Sequence, residues 1–169
     1  MRALVVYESM WGNTRTVAEA VAEGLGGARA VEVREASVAE LDGLDLLVVG
    51  GPTHAFSMSR PSTRHDALGR GATTGTEDRG IREWLADLPE HIEVPVATFD
   101  TRVTTVRNLP GSAAKGAAKE LRRHHHGHVV DRRSFYVGDT GGPLADGEVE
   151  RAVAWGRELL GRLMHSWKP

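Results

Sequence analysis

The run Ser9-Met10-Trp11-Gly12-Asn13-Thr14 joins a short apolar stretch to a helix-patterned one. At such a junction the backbone N–H groups of the first helical turn have no intrahelical partner, and the helix dipole draws an anion towards them. The hydroxyls of Ser9 and Thr14 and the amide of Asn13 add side-chain donors, whereas Met10 and Trp11 offer no oxygen. The loop has no lysine for a Walker-type nucleotide site, and it lacks the spaced glycines of a dinucleotide site. A single phosphate monoester matches it better. The plainer alternative is that Asn13 or Thr14 only caps the helix. Position favours the anion, because two further loops of matching character follow other apolar runs: Gly51-Pro52-Thr53-His54 and Asp100-Thr101-Arg102. A flat ring needs apolar or aromatic faces and a few polar groups. His54, Phe56 and Met58 can supply faces, although His54 also reads as an ordinary polar loop residue. Trp11 either covers the phosphate or stands exposed at the loop tip.

Other chemistry is weaker. His124-His125-His126-Gly127-His128 invites a metal, but consecutive residues diverge around a helix and no carboxylate cluster lies nearby in sequence. It reads as a helix terminus, and no metal is expected. Gly138 to Pro143 reads as a plain connector, Trp84 and Trp155 as packing residues, and Trp167 as loosely held. The absence of cysteine removes disulfides and thiol redox chemistry, so any redox activity must come from a cofactor. A formal charge of −2 gives no general pull towards nucleic acid. No apolar run approaches the roughly 20 residues of a membrane span, and no signal-peptide pattern opens the chain, which reads as cytoplasmic.

The elements that must position these loops alternate. Ala3–Tyr7, Leu44–Val49, Val94–Phe99 and Val129–Val137 read as strands, with Arg29–Arg34 as an edge strand. Helical spacing marks Val17–Leu25, Gly80–Leu88, Ser112–His125 and Asp146–Met164. Repeated βαβ order implies a doubly wound parallel sheet covered on both faces, in one domain spanning residues 1–169. Its ligand site lies beyond the carboxyl ends of the strands, where strand order reverses. Ala55 to Arg79 is too long for a bare connection and is either a mobile lid or an insertion. With only Ala67, Leu68 and Ala72 as apolar anchors, Arg60–Arg79 is expected to be mobile and to be cut first by a protease.

These residues resemble the flavodoxin family over nearly the whole chain. The likeness rests on the loop ending Gly12-Asn13-Thr14, on Gly51-Pro52-Thr53-His54, and on Asp100-Thr101-Arg102. It implies a five-stranded sheet of order 2-1-3-4-5 and FMN as cofactor. By the same resemblance Ser9, Met10, Trp11, Gly12, Asn13 and Thr14 hold the phosphate. Pro52, Thr53, His54, Ala55 and Phe56 take one face of the ring, and Asp100, Thr101 and Arg102 the other, with Asp100 and Arg102 at its edge. Family carriers place glycine where this chain has Ala55, and they are markedly acidic where it is nearly neutral. Arg60, Arg64, His65, Arg102 and Arg107 fall in loops on the flavin side, where positive charge favours a reduced, anionic flavin. The implied function is an FMN-binding redox protein, either a small quinone-reductase-like oxidoreductase or an electron carrier to a partner protein. Two alternatives stay open: a regulatory module on the same fold that has lost FMN, and a relative of the protoporphyrinogen dehydrogenases, which also carry a long insertion. Oligomeric state is not legible.

Overall fold

The computed structural model describes residues 1–166. Strands β1 (Ala3–Tyr7), β3 (Leu46–His54) and β5 (Val96–Val103) form the middle of a sheet, flanked by β2 (Arg29–Glu32) and β6 (Val129–Val137) in the order β2-β1-β3-β5-β6, all parallel. Their apolar, β-branched runs suit burial on both faces. Alternate side chains go to opposite layers. Leu4, Val6, Leu47, Val49 and Val96 pack with Trp84, Leu85 and Leu121 from α3 (Ile81–Ala86) and α4 (Ala113–His124). Val5, Val48, Ala97 and Phe99 pack with Val17, Val21, Trp155 and Leu159 from α1 (Asn13–Gly24) and α5 (Glu148–Ser166). Trp84 and Trp155 are fully buried, as their helical spacing implies, with indole N–H groups donating to Ala36 O and Asp131 Oδ2. Trp167 lies outside the described residues.

The doubly wound fold and its strand order match the sequence expectation, with one strand added. Gly50-Gly51-Pro52 does not close β3, because β5 stays alongside it as far as the Pro52–Thr101 pair. β3 then turns back into β4 (Ser57–Met58), an antiparallel partner that the sequence reading omitted. Asp100-Thr101-Arg102 likewise lies inside β5 and not in a loop.

The segment expected to be mobile is an insertion, largely exposed but tied to the rest of the fold at several points. It contains α2 (Pro61–Gly69), which begins with proline at its first turn, where a missing N–H costs nothing. Polar anchors hold it in place of apolar ones. Arg64 is completely buried, and Thr73 and Thr74 both donate their backbone N–H to Met10 O.

Candidate functional site

At the carboxyl ends of β1 and β3, where the chain switches direction across the sheet, the Ser9–Thr14 loop enters α1. Gly12 takes φ 91°, a left-handed conformation that costs glycine nothing, and it turns the chain into the helix. Ser9 Oγ accepts the N–H groups of Gly12 and Arg15, and Gly12 O accepts that of Thr16. Ser9 is therefore buried as the loop's internal brace, its hydroxyl accepting within the loop and keeping its own proton. The N–H groups of Asn13 and Thr14, in the first turn of α1, are left to the cleft. Thr14 Oγ1 lies 2.7 Å from Thr101 Oγ1 in a buried pair. One proton closes that bond, so the other hydroxyl proton is free to meet an acceptor.

A cavity of about 110 Å³ sits over this loop, lined by Met10, Trp11, Asn13, Thr14, Pro52, Thr53, His54, Thr101 and Arg102, together with Val103, Val137 and Thr140. A second cavity of about 320 Å³ adjoins it, with Trp11, Thr53, His54 and Thr140 common to both. Its outer wall is α2, through Thr63, Asp66, Ala67 and Arg70. Side by side the two reach the roughly 300–1,000 Å³ usual for a cofactor or small-molecule site. Three loops that are distant in sequence therefore do converge. The sequence reading missed the α2 wall and the segment after β6. Gly138–Pro143 is no mere connector: Thr140 lines both cavities, and Gly142 leaves room only for the Asn13 side chain beside it.

His54 ends β3 in the wall between the cavities, its Nδ1 3.1 Å from Thr63 Oγ1. Burial, assisted by the Arg64 charge, lowers its pKa to about 4, so the ring is neutral at neutral pH. Ala55 and Phe56 form the tip of the β3–β4 hairpin at φ 47° and 63°. A tight hairpin requires this conformation at both central positions, and neither residue is glycine, a strain of order 1–3 kcal/mol per residue. Ala55 lines the second cavity, whereas the Phe56 ring is half exposed.

One expectation for β5 needs correction. Asp100 does not reach the cleft: it is fully buried, and its Oδ2 accepts the N–H of Ala114 in the first turn of α4. A carboxylate there satisfies a helix start better than it would a ring edge. Arg102 does line the cleft, and its Nη2 donates to the carbonyls of Val106 and Leu109, fixing the 104–109 turn. Burial raises the Asp100 pKa above its ordinary 3.8, although Ser112, Ala114, Ser134 and Arg102 pull it down. The folded state thus holds this proton more tightly than the unfolded chain. Its contribution to stability is complete below about pH 3.8 and is lost as pH rises through the raised value. Asp100→Asn should therefore gain about 1 kcal/mol or more at pH 8 and little at pH 4. Urea midpoints at the two pH values measure this, and an equal effect at both would remove ionisation as the cause.

Beneath the second cavity lies a buried ionic network. Glu8, the residue after β1, accepts Ser59 Oγ at 2.7 and 2.6 Å and the N–H of Ile81 at 2.9 Å. Arg64 donates to Ser59 Oγ at 2.8 Å and Glu77 O at 2.8 Å, and pairs with Glu83 at 2.6 Å. Burial pushes the Glu8 carboxyl up in pKa, against the pull of Ser59, Ile81 and Arg64. Gly80 is required at this point, because a Cβ there would come within 2.1 Å of Glu8 Oε1. Arg64, expected to face the flavin, instead ties α2 to β1 and α3.

The chain thus has the class features of a doubly wound α/β protein with an anion-ready cleft at the β1/β3 switch point. Residues 5–65 match the family model described as Flavodoxin. A flavodoxin from the domain Archaea superposes with a TM-score of 0.63 at 19% identity, covering 98% of this chain and 100% of that one. Flavodoxin 2 from Bacillus cereus gives 0.63 at 16%, covering 99% and 100%. A flavodoxin, WrbA-like protein from Agrobacterium tumefaciens gives 0.56 at 17%, covering 97% and 98%. At these identities the likeness to solved structures is one of fold. No curated protein matches the chain. The chain is thus similar to flavodoxins over residues 5–65 and has a flavodoxin-like fold, and the cofactor of that family is FMN.

Proposed function

We propose that the chain is an FMN-dependent redox protein, and a small oxidoreductase with an acceptor such as a quinone in preference to an acidic-type carrier. The observation that carries this reading is the Thr14–Thr101 hydroxyl pair beside the first-turn N–H groups of α1, opening into a cavity of cofactor size. Asn13, Thr14 and the loop backbone would hold the phosphate. Trp11, Pro52, Thr53, His54, Ala55, Thr101 and Arg102 would surround the ring. Ser9 and Asp100 support these groups from below. Met10 and Gly12 shape the loop, and Phe56 stands at the hairpin tip. When bound, FMN supplies one- or two-electron transfer, while the protein positions and tunes it.

The tuning argument rests on charge. His54 contributes none at neutral pH. Arg102 contributes a full positive charge at the cleft wall, and the ionisation of neighbouring Asp100 is disfavoured by burial. One such charge at ~8 Å and an effective dielectric of ~20 favours a reduced anionic ring by about 2 kcal/mol. For one electron that is on the order of 90 mV. The second reduction potential should therefore be clearly less negative than that of an acidic carrier, and Arg102→Gln should lower it by about 90 mV. A yellow protein that releases one FMN per chain on denaturation, with this response in a redox titration, supports the oxidoreductase reading. A very low second potential that ignores the substitution would return the chain to the carriers. A colourless protein that cannot be reconstituted would remove the cofactor altogether.

A further inference from the structure

The histidine run ends α4 as its sequence implies, but one member leaves the helix. His126 adopts φ 47° and swings away from its neighbours, and its ring stacks on that of His91 at 4.4 Å, with an interplanar angle of 14°. Glu90 stands beside them. One ligand atom from each of Glu90, His91 and His126 lies within 4.8 Å of the others, the one such grouping found among the described residues.

The two loops that bring these groups together are fixed to each other through their backbones. The buried His125 ring donates from Nδ1 to Pro89 O at 2.8 Å, and Ile92 N–H donates to His125 O at 3.1 Å. The cluster thus stands on two mutually stapled turns, one leading into β5 and the other into β6. These are the amino ends of the strands, at the opposite end of the sheet from the cleft. Nothing in the proposed redox site uses it.

From this geometry we infer that Glu90, His91 and His126 form a surface zinc site. Two imidazole nitrogens and one carboxylate oxygen are a donor set that Zn²⁺ accepts, with water completing a tetrahedron. Zn–N and Zn–O distances of ~2.0–2.1 Å place tetrahedral ligand atoms about 3.4 Å apart, so the exposed side chains need to close by at most about 1.4 Å through rotation. His125 is committed to the Pro89 carbonyl, and His124 lies towards Glu120 on the helix, so neither belongs to the set. The ion would clamp the β5 and β6 entry turns together.

The test is equilibrium dialysis of the full chain against ZnCl₂, with thermal unfolding read in parallel. One Zn²⁺ per chain is expected, with a rise in Tm of about 5–10 °C at a hundredfold excess over Kd. His91→Ala and His126→Ala should each weaken binding at least tenfold, and Glu90→Gln by a similar factor, whereas a His124→Ala/His128→Ala double variant should bind as the parent does. Loss of binding in the double variant, or retention in His91→Ala, would assign the metal to the contiguous histidines and overturn the site. No binding at millimolar zinc would do the same. FMN content, measured on the same samples, reports the distant cleft separately from this result.

Discussion

Arg64→Met should lower stability by about 3–5 kcal/mol, the usual result when one member of a buried ion pair is removed and the other is left without its partner. For a chain of this size that corresponds to a fall in Tm of roughly 6–20 °C. The cause is specific. Arg64 is fully buried and answers to Glu83, Ser59 and the Glu77 carbonyl, while Glu8 is buried beside it with its pKa already raised. Without the guanidinium, the Glu8 carboxylate loses its nearest cation, so the penalty should shrink on acidification as Glu8 takes up a proton. Adding Glu8→Gln should likewise recover part of the loss. Urea unfolding of the parent, single and double variants at neutral and acidic pH checks both statements, and a pH-independent loss would mean that only packing had been disturbed. Because Glu8 directly precedes the Ser9–Thr14 loop, the single variant should also lose cofactor affinity.

Thr14→Val keeps the shape of the side chain and removes its oxygen. On the proposed reading, the FMN dissociation constant should rise by about ten- to a hundredfold, the equivalent of one charge-assisted hydrogen bond of ~1.5–3 kcal/mol. The Thr101 contact makes the expectation more demanding. Since Thr14 and Thr101 share one bond and leave one proton for a ligand, Thr101→Val should weaken binding to a similar degree. Thr14→Ser should stay close to the parent. Fluorescence titration with FMN measures all three, and unaltered affinity in Thr14→Val would take its hydroxyl out of the site.

The parts of the fold legible in the sequence were those governed by local periodicity. Continuous apolar runs gave the central strands, helical spacing gave α1, α3, α4 and α5, and their alternation gave the parallel order. The convergence of Thr14, Thr53, His54 and Thr101 followed, because parallel topology collects the carboxyl ends of strands. What stayed hidden was decided by contacts distant in sequence. α2 has no apolar stripe, and its anchor is an arginine, a residue that reads as surface until its carboxylate partners are seen. Asp100 reads as a ring-edge residue through the family resemblance, with its strand expected to end at Phe99, whereas β6 alongside carries β5 on to Val103. Thr140 lay in a glycine-rich turn with no signal of its own. His91 and His126 are separated by the whole of β5 and α4, and only the packing of β5 beside β6 makes them neighbours.

The three hydrogen bonds from Thr73 and Thr74 to the carbonyls of Ser9 and Met10 have a thermodynamic consequence. The 73–74 stretch cannot open without releasing the back of the Ser9–Thr14 loop, so the two segments form a single unit of local unfolding although they are far apart in the chain. A ligand on Asn13 and Thr14 then stabilises the closed form of both. In hydrogen–deuterium exchange, the amides of Thr73 and Thr74 should slow when FMN is added, in step with those of the loop, even though neither threonine lines either cavity. The insertion would thus report occupancy from behind the phosphate, and its resistance to exchange would be set by cofactor concentration as well as by its own packing.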